Sequence, residues 1–321
     1  MCRLLFSLCC IFAFSIFTPF PARAEEEQPP AWAYVVNPPD FKPTPDDGKP
    51  RHVPDSAISY LVPQTRDLFL APDWHAADHP SMPDIVAHGR KPAVFACGFC
   101  HRADGQGGPE NARIAGLPAA YIVQQMADFK NGLRGTSVDK RVPPELMISL
   151  SKAISAQEVN AAAAYFSALK PRETLKVIET ETVPKTFVAG WFLADAKTGE
   201  HEPIGERIIE IPEDLAQFEN RDAHARFIAY VPVGSVEKGK RLAAGGEGLT
   251  ACVSCHGPEL KGIGDIPGIA GRSPSYLTRQ MYDIKHGARS GAGSALMKAV
   301  TEKLTNGDML AIVAYVATLP P

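Results

Sequence analysis

The amino-acid sequence predicts a mainly α-helical protein in which two small helical domains are joined by a small strand-rich insert and preceded by a proline-rich arm. Two domains are predicted because one stretch of the chain, with the amphipathic helix that follows it, occurs twice. Between the copies, runs of β-branched and aromatic residues over 187–193, 207–211 and 227–233 are bounded by glycine and proline, which predicts a small antiparallel sheet or a set of covering strands. Before the first copy, frequent prolines fix φ and remove backbone donors, so little helix is expected. We therefore divide the chain into a signal peptide (1–24), the arm (25–80), domain 1 (81–172), the insert (173–234) and domain 2 (235–321).

The beginning of the chain has the pattern of a secretory signal peptide. Arg3 precedes an apolar run over 4–17, prolines follow, and Ala22-Arg23-Ala24 offers a small-residue cleavage site. The apolar run is too short for an ordinary membrane span, and an uncleaved anchor is the alternative. Cysteines occur only in this leader and in the repeated stretch, so we expect no conventional disulfide in the exported chain. The net charge is −3 and no basic stripe is present, so no nucleic-acid partner is expected.

The repeated stretch is a C-x-x-C-H motif, formed by Cys97, Cys100 and His101 and again by Cys252, Cys255 and His256. On a helical turn, residues at i, i+3 and i+4 share one face, so both thiols and the imidazole can meet one flat macrocycle. A zinc ribbon requires its two cysteine pairs much closer together in sequence, and a disulfide within each pair leaves the histidines unexplained. The motif is typical of c-type haem attachment, so two copies predict two covalently bound haem c groups, each with iron bound by its histidine.

The two copies correspond well beyond the motif. Adding 155 to a residue number carries the first motif onto the second and continues through the next helix, where Tyr121, Gln125, Met126 and Arg134 fall on Tyr276, Gln280, Met281 and Arg289. Downstream the offset becomes 150, so Met147 falls on Met297 and the predicted helix cap Ser155 falls on Thr305. Ser155 with Glu158 has the spacing of a capping box. Agreement over this length indicates an internal duplication.

With these motifs, both segments resemble class I cytochrome c domains, and their tandem arrangement is similar to dihaem cytochromes of the c4 type. The resemblance covers a little over half of the chain and implies haem attachment in the periplasm. It also implies a fold of two cytochrome c-type helical domains. The arm and the long insert depart from the pattern, so the packing of the two domains against each other is left open.

The resemblance implies methionine as the second axial ligand of each iron, in a loop before the last helix of each domain. Met147 and Met297 occupy that position, and we predict that they bind iron together with His101 and His256. Met126 and Met281 are the alternatives, although methionine inside an amphipathic helix usually fills the core. Pro267 resembles the residue whose carbonyl accepts a hydrogen bond from the ligand imidazole, and Ala112 is its counterpart in the first copy.

Arginine and histidine residues outside the motif leave two questions open. Arg134 and Arg289 each follow a helix-ending glycine, where a guanidinium could bind a haem propionate or be solvated beside the helix end. His75 and His79 have the spacing of a metal-binding pair, but prolines on both sides disfavour a helix. We therefore interpret that stretch as a solvent-facing polar loop.

The function predicted from these features is transfer of single electrons between redox partner proteins. The chain would act in the periplasm, as the cytochrome subunit of a dehydrogenase or respiratory complex, with the arm and insert as a surface that docks onto a membrane-bound or periplasmic complex. The alternative is a dihaem oxidoreductase, either a peroxidase or a sulfur-compound oxidising enzyme, with one replaceable haem ligand. The histidines available as alternative ligands are His88, His201, His224 and His286.

Overall fold

The computed structural model describes residues 27–321, and the signal peptide predicted over 1–24 lies outside the described residues. The arm contains one short helix, α1 (Val62–Thr65), and a 3-10 turn (Ala76–Asp78), and is otherwise irregular, as its prolines predict. Among residues 27–321 we find no helix with the length and hydropathy needed to span a bilayer.

The arm lies on the surface of the rest of the protein. Tyr34 is only 4 % exposed, and its hydroxyl donates to Asp283 Oδ1 at 2.7 Å. The side chain of Lys285 pairs with Glu27 at 2.7 Å, and the indole N–H of Trp74 donates to the carbonyl of Asn220 at 2.8 Å. These contacts fasten the arm to domain 2 and to the insert.

Domain 1 is built from helices α2 (Asp84–Ala87), α3 (Cys97–His101), α4 (Ala119–Lys130), α5 (Val142–Ala153) and α6 (Ala156–Ala168). Helix α2 ends at Ala87, and two residues later Gly89 takes a φ of +63° and turns the chain. The capping box is confirmed: Ser155 accepts from the Glu158 amide, and Glu158 accepts from the Ser155 amide at 2.8 Å. Helices α4, α5 and α6 pack around a core that contains Phe166.

The insert consists of a small mixed sheet, two separate antiparallel strand pairs and one short helix. Its elements are β1 (Leu175–Thr180), β2 (Thr182–Pro184), β3 (Thr186–Val188), β4 (Leu193–Asp195), β5 (His201–Pro203), β6 (Ile209–Pro212), α7 (Leu215–Glu219) and β7 (Phe227–Pro232). The sheet order is β1-β7-β6, with β1 parallel and β6 antiparallel to β7.

Two predictions for the insert are wrong. The sheet is not purely antiparallel, because β1, which was not predicted, pairs in parallel with a strand about 50 residues later. The run 187–193 is not one strand, because the chain turns between β3 and β4 with Gly190 and Trp191 both at positive φ.

Domain 2 is built from helices α8 (Ser235–Ala243), α9 (Val253–His256), α10 (Pro274–Lys285), α11 (Ala295–Thr301) and α12 (Asn306–Ala317), with a two-stranded hairpin of β8 (Gly262–Ile263) and β9 (Ile266–Pro267). Thr305 and Asp308 form a capping box at the start of α12, as in the first copy. Helix α8 crosses α12 at Gly239, where a Cβ atom would lie 1.9 Å from the carbonyl oxygen of Ala311. Only glycine permits this close approach.

We expect Gly239→Ala to lower the free energy of unfolding by about 1–3 kcal/mol, because the overlap with Ala311 outweighs the roughly 1 kcal/mol that alanine gains over glycine in a helix. Denaturant unfolding of the haem-loaded protein measures this change. Gly293→Ala is the matched control, since a Cβ atom at Gly293 would have no neighbour within 4 Å and the φ of this glycine is not positive. Equal stability of the two variants contradicts the proposed crossing.

The two domains meet where the corresponding helices α4 and α10 end. The amide of Gly135 donates to the carbonyl of Ala288 at 2.7 Å, and the amide of Ser290 donates to the carbonyl of Leu133 at 2.8 Å. Arg134 and Arg289 thus face each other in an antiparallel bridge. The two copies therefore contact each other through corresponding residues, which answers the question of domain packing that the sequence left open.

Candidate functional site

The first C-x-x-C-H motif forms helix α3 and lines a cavity of about 860 Å³. Cys97, Cys100 and His101 all reach this cavity, as the helical spacing predicts. Among residues 27–321, the only histidine in its lining is His101, so none of the alternative histidine ligands lies in this cavity.

His101 is held in one orientation and one protonation state. Its Nδ1 donates to the carbonyl of Ala112 at 2.8 Å, since a carbonyl can only accept. Burial lowers the pKa of His101, with the hydrogen bond to Ala112 opposing and the charge of Arg134 adding to the effect. The ring is therefore neutral with Nε2 unprotonated, which is the form that binds a metal ion.

The second motif repeats this arrangement. His256 is 8 % exposed, and its Nδ1 donates to the carbonyl of Pro267 at 2.8 Å. Burial lowers the pKa of His256 as well. The predicted role of the Pro267 carbonyl is thus confirmed, and replacement by alanine in the first copy keeps the same bond because the backbone provides the acceptor.

The four motif cysteines are free thiols, and no disulfide joins any of the cysteines in the described chain. Burial raises the pKa of Cys97 to about 12 and also raises that of Cys100 and Cys252. These thiols are therefore available in both motifs for covalent attachment, and a disulfide within each pair is not formed.

The expected placement of the methionine ligands in loops is wrong, because Met147 lies in α5 and Met297 in α11. Pro143 and Pro144 occupy the start of α5, where a missing amide hydrogen has no cost, so proline begins this helix rather than excluding it. Met147 still lines the cavity of the first motif. Its assignment as an iron ligand stays a prediction.

The alternative methionines differ between the copies. Met126 also lines the first cavity, so location alone does not separate it from Met147. Met281, its counterpart in α10, is 9 % exposed and belongs to the large hydrophobic core that domain 2 shares with the arm and the insert, whereas Met297 is only partly buried. Because the copies should use corresponding ligands, burial of Met281 in a core favours the Met147 and Met297 pair.

Arg134 and Arg289 are each only 9 % exposed, so the interpretation as solvated arginines is wrong. Each arginine reaches across to the other domain. Arg134 Nη2 donates to Tyr276 Oη and Gln280 Oε1, both at 3.0 Å. Arg289 Nη2 donates to the corresponding atoms of domain 1, Tyr121 Oη at 2.8 Å and Gln125 Oε1 at 2.9 Å.

Each arginine also binds the glutamine of its own domain, Arg134 to Gln125 at 2.9 Å and Arg289 to Gln280 at 3.1 Å. We call these six residues the crossed network. Although burial would raise the pKa of Tyr121, the charges of Arg289 and Arg134 lower it below its ordinary value. The network is a polar contact that neither domain can complete alone.

The stretch that contains His75 and His79 is not a solvent-facing loop. The side chains of these two histidines are 7 % and 4 % exposed, because His75 pairs with Asp222 of the insert at 2.9 Å and His79 pairs with Asp73 at 3.2 Å. His75 also stacks on His224 with 3.6 Å between ring centroids.

His75, Asp78 and His224 place metal-ligand atoms within 4.8 Å of one another. However, the two imidazole rings are parallel within 4°, so their nitrogen lone pairs do not point toward a common ion. Each ring already has a carboxylate partner, Asp222 for His75 and Asp78 for His224. We therefore interpret the group as a hydrogen-bonded contact between arm and insert.

His79, which bonds Asp73 of the arm and Tyr165 of domain 1, gives the stability of the protein a pH dependence. The hydrogen bond to Asp73 raises the pKa of His79, as does the Pro80 carbonyl, while burial opposes them. The resulting stability is fully present below the ordinary histidine pKa of about 6.5 and is lost as pH rises through the higher pKa of the folded state. We expect His79→Asn to flatten the dependence of unfolding free energy on pH in this range. The exposed His52→Asn is the control, and an unchanged profile in His79→Asn contradicts the assignment.

The residues around the first cavity fit a haem group. The cavity has the size of a cofactor site and brings together two thiols and an imidazole whose Nε2 is free. Its lining also contains buried polar atoms without a hydrogen-bond partner, on Arg102, Glu110 and Arg141. These three residues were not predicted from the sequence, since they belong to no motif and only Glu110 has a like-charged counterpart in the second copy, Asp265.

Comparison with known proteins identifies the family. The cytochrome c family profile matches residues 86–170 and 236–320, which is more than half of the chain, so the chain belongs to the cytochrome c family. It is 28 % identical to a thiosulfate dehydrogenase electron acceptor of Thiomonas intermedia, over 71 % of this chain and 81 % of that protein. It is also 28 % identical to a cytochrome c4 of Pseudomonas aeruginosa, over 74 % of this chain and 89 % of that protein.

Among solved structures, a thiosulfate dehydrogenase from Marichromatium purpuratum matches with a TM-score of 0.48 and 27 % identity over 81 % of this chain, which spans 40 % of that longer chain. The family and the two motifs together give a dihaem cytochrome of the c4 kind with two covalently bound haem c groups. The protein is an electron carrier that acts with redox partners.

Proposed function

We propose that this protein is a periplasmic cytochrome that accepts electrons from a dehydrogenase and passes them on through two haems of fixed coordination. The observation that supports this most directly is the state of the two motif histidines. In both copies Nδ1 is tied to a backbone carbonyl and Nε2 is free, and each copy offers a methionine at the corresponding position. Histidine with methionine leaves no open position on a haem iron, which suits a carrier.

When bound, each haem supplies a one-electron centre, and the protein supplies its ligands and surroundings. In this proposal Cys97, Cys100, Cys252 and Cys255 hold the haems covalently, and His101 with Met147 and His256 with Met297 bind the irons. Arg134 and Arg289 bind propionates beside the domain contact. The Nε atom of Arg289 is buried without a partner, so it has an N–H available for this role.

The dehydrogenase partner is inferred from the relatives. Two of them, from Thiomonas intermedia and Stutzerimonas stutzeri, are described as electron acceptors of thiosulfate dehydrogenase. The arm and insert add surface beyond the two cytochrome domains, and we propose that part of this surface docks onto a membrane-bound or periplasmic partner complex. Stopped-flow reduction by a purified thiosulfate dehydrogenase tests the partner. Reduction no faster than with an unrelated dehydrogenase contradicts it.

Spectroscopy of the purified protein separates the carrier from a dihaem oxidoreductase. Intact mass should show two covalent haems, and carbon monoxide, peroxide and thiosulfate should leave both spectra unchanged, because both irons have two protein ligands. A haem that binds carbon monoxide, with turnover of peroxide or thiosulfate, would favour a peroxidase or a sulfur-compound oxidising enzyme. A mass that accounts for fewer than two haems contradicts the attachment sites.

A further inference from the structure

Arg141 is a buried cation whose guanidinium lacks a hydrogen-bonded carboxylate among the described residues. It lies directly before α5, the helix that carries Met147, and is 2 % exposed. Its Nε and Nη2 atoms have no hydrogen-bond partner in the described part of the chain. Arg141 nevertheless lines the cavity that contains His101. A buried guanidinium without partners is costly, so an anion from outside the chain is expected to bind it.

The groups around Arg141 do not supply that anion. On the arm, the ring of Tyr34 lies 5.8 Å from the guanidinium carbon. On α10, Asp283 already accepts from the Tyr34 hydroxyl at 2.7 Å and from the Ser137 amide at 2.8 Å. The pKa of Arg141 is lowered to about 9, mainly by burial and in addition by the charge of Arg279, while Tyr34, Asp283 and Glu110 oppose the shift. The side chain is therefore still protonated at neutral pH.

Arg102, the other unpartnered arginine of the cavity, has a different environment. Burial lowers the pKa of Arg102 most. The next largest effects come from the acidic groups Glu110, Cys100, Asp104 and Asp222, all of which favour the charged form of Arg102. For Arg141, the strongest influence after burial is another cation, Arg279. The charges of the chain thus favour the charged form of Arg102, whereas for Arg141 the cation Arg279 acts more strongly than the carboxylates of Asp283 and Glu110.

We propose that Arg141 binds a propionate of the haem carried by the first motif and raises the reduction potential of that haem alone. This inference rests on the proposed coordination of the first haem. A nearby buried cation favours the reduced iron, which carries one positive charge fewer. The second copy has no cation at the corresponding position, because the residues that correspond to Arg141 at the two offsets are Gly291 and Leu296, and Leu296 is 76 % exposed. The two haems are therefore electrostatically unlike.

The test is a redox titration of the haem-loaded, full-length protein, followed by its visible spectrum. We expect Arg141→Gln to lower one of the two midpoint potentials and to leave the other unchanged. Lys140→Gln is the matched control, since it removes the same charge from the exposed neighbouring residue. The titration curve of this variant should coincide with that of the wild type. Two unchanged midpoints in Arg141→Gln, or an equal shift of both, would overturn the proposal.

Arg141→Lys covers the case in which the glutamine variant does not fold. Lysine keeps the charge but cannot form the two parallel hydrogen bonds of a guanidinium to a carboxylate. We expect resonance Raman spectra of this variant to show a shifted propionate bending mode for one haem, and an unshifted mode would overturn the proposal. Haem mass and the methionine–iron charge-transfer band, measured on the same samples, report separately on the coordination. If they are intact while the potentials do not respond, only the role of Arg141 fails.

Discussion

Replacing Met147 by alanine is expected to remove the methionine–iron charge-transfer band of one haem and to convert that iron to a high-spin or water-bound form. Met297→Ala is expected to do the same to the other haem, so each single variant should lose about half of the band intensity. The physical reason is that the thioether is the sixth ligand, and no second side chain is proposed to replace it. Near-infrared absorption and carbon monoxide binding measure both changes.

The controls for this prediction are the two methionines of α4 and α10. Met281→Ala should keep both bands and lower the free energy of unfolding by about 2–5 kcal/mol, because Met281 is buried in a hydrophobic core. Met126→Ala should also keep both bands. Loss of a band in either of these variants, with retention in Met147→Ala and Met297→Ala, would reverse the ligand assignment.

Replacing Arg289 by methionine is expected to lower the free energy of unfolding by about 3 kcal/mol, because it removes three charge-assisted hydrogen bonds from a buried contact between the domains. Those bonds join Arg289 to Gln280, Tyr121 and Gln125 at 2.8–3.1 Å. Denaturant unfolding measures the loss. Arg241→Met, which removes the same charge from an exposed position on α8, should change stability little.

The crossed network also predicts coupling between its two arginines. Arg134 and Arg289 both donate to Gln125 Oε1, and both donate to Gln280 Oε1. The loss in the double variant should therefore differ from the sum of the single losses, as expected for residues that share partners. Strict additivity would show that the two arginines act independently.

Features that depend on short sequence separations were predicted well. The capping box of Ser155 and the one at Thr305 involve side chains three residues apart, so spacing alone determines them. The histidine–carbonyl bonds span eleven residues in both copies, from His101 to Ala112 and from His256 to Pro267, and the duplication makes this visible.

Features that depend on long-range contacts were not predictable from one sequence. The stacking of His75 on His224 joins residues about 150 positions apart, and nothing near either histidine in the sequence indicates the other. The parallel pairing of β1 with β7 was missed for the same reason, because the paired residues are about 50 positions apart. The unpaired charge of Arg141 appears only when its surroundings are known, because a single arginine in a sequence gives no sign of burial.

The walls of the first cavity have a consequence for how the protein matures. Besides domain 1, the cavity is lined by Phe41 and Arg51 of the arm and by Trp191 and Phe218 of the insert. The arm is fastened by residues near the other end of the chain, since Tyr34 binds Asp283 across 249 positions. This fastening cannot form until α10 has been synthesised and has folded. We therefore expect that haem can be attached to Cys97 and Cys100 only before the C-terminal half has folded and fastened the arm over the cavity.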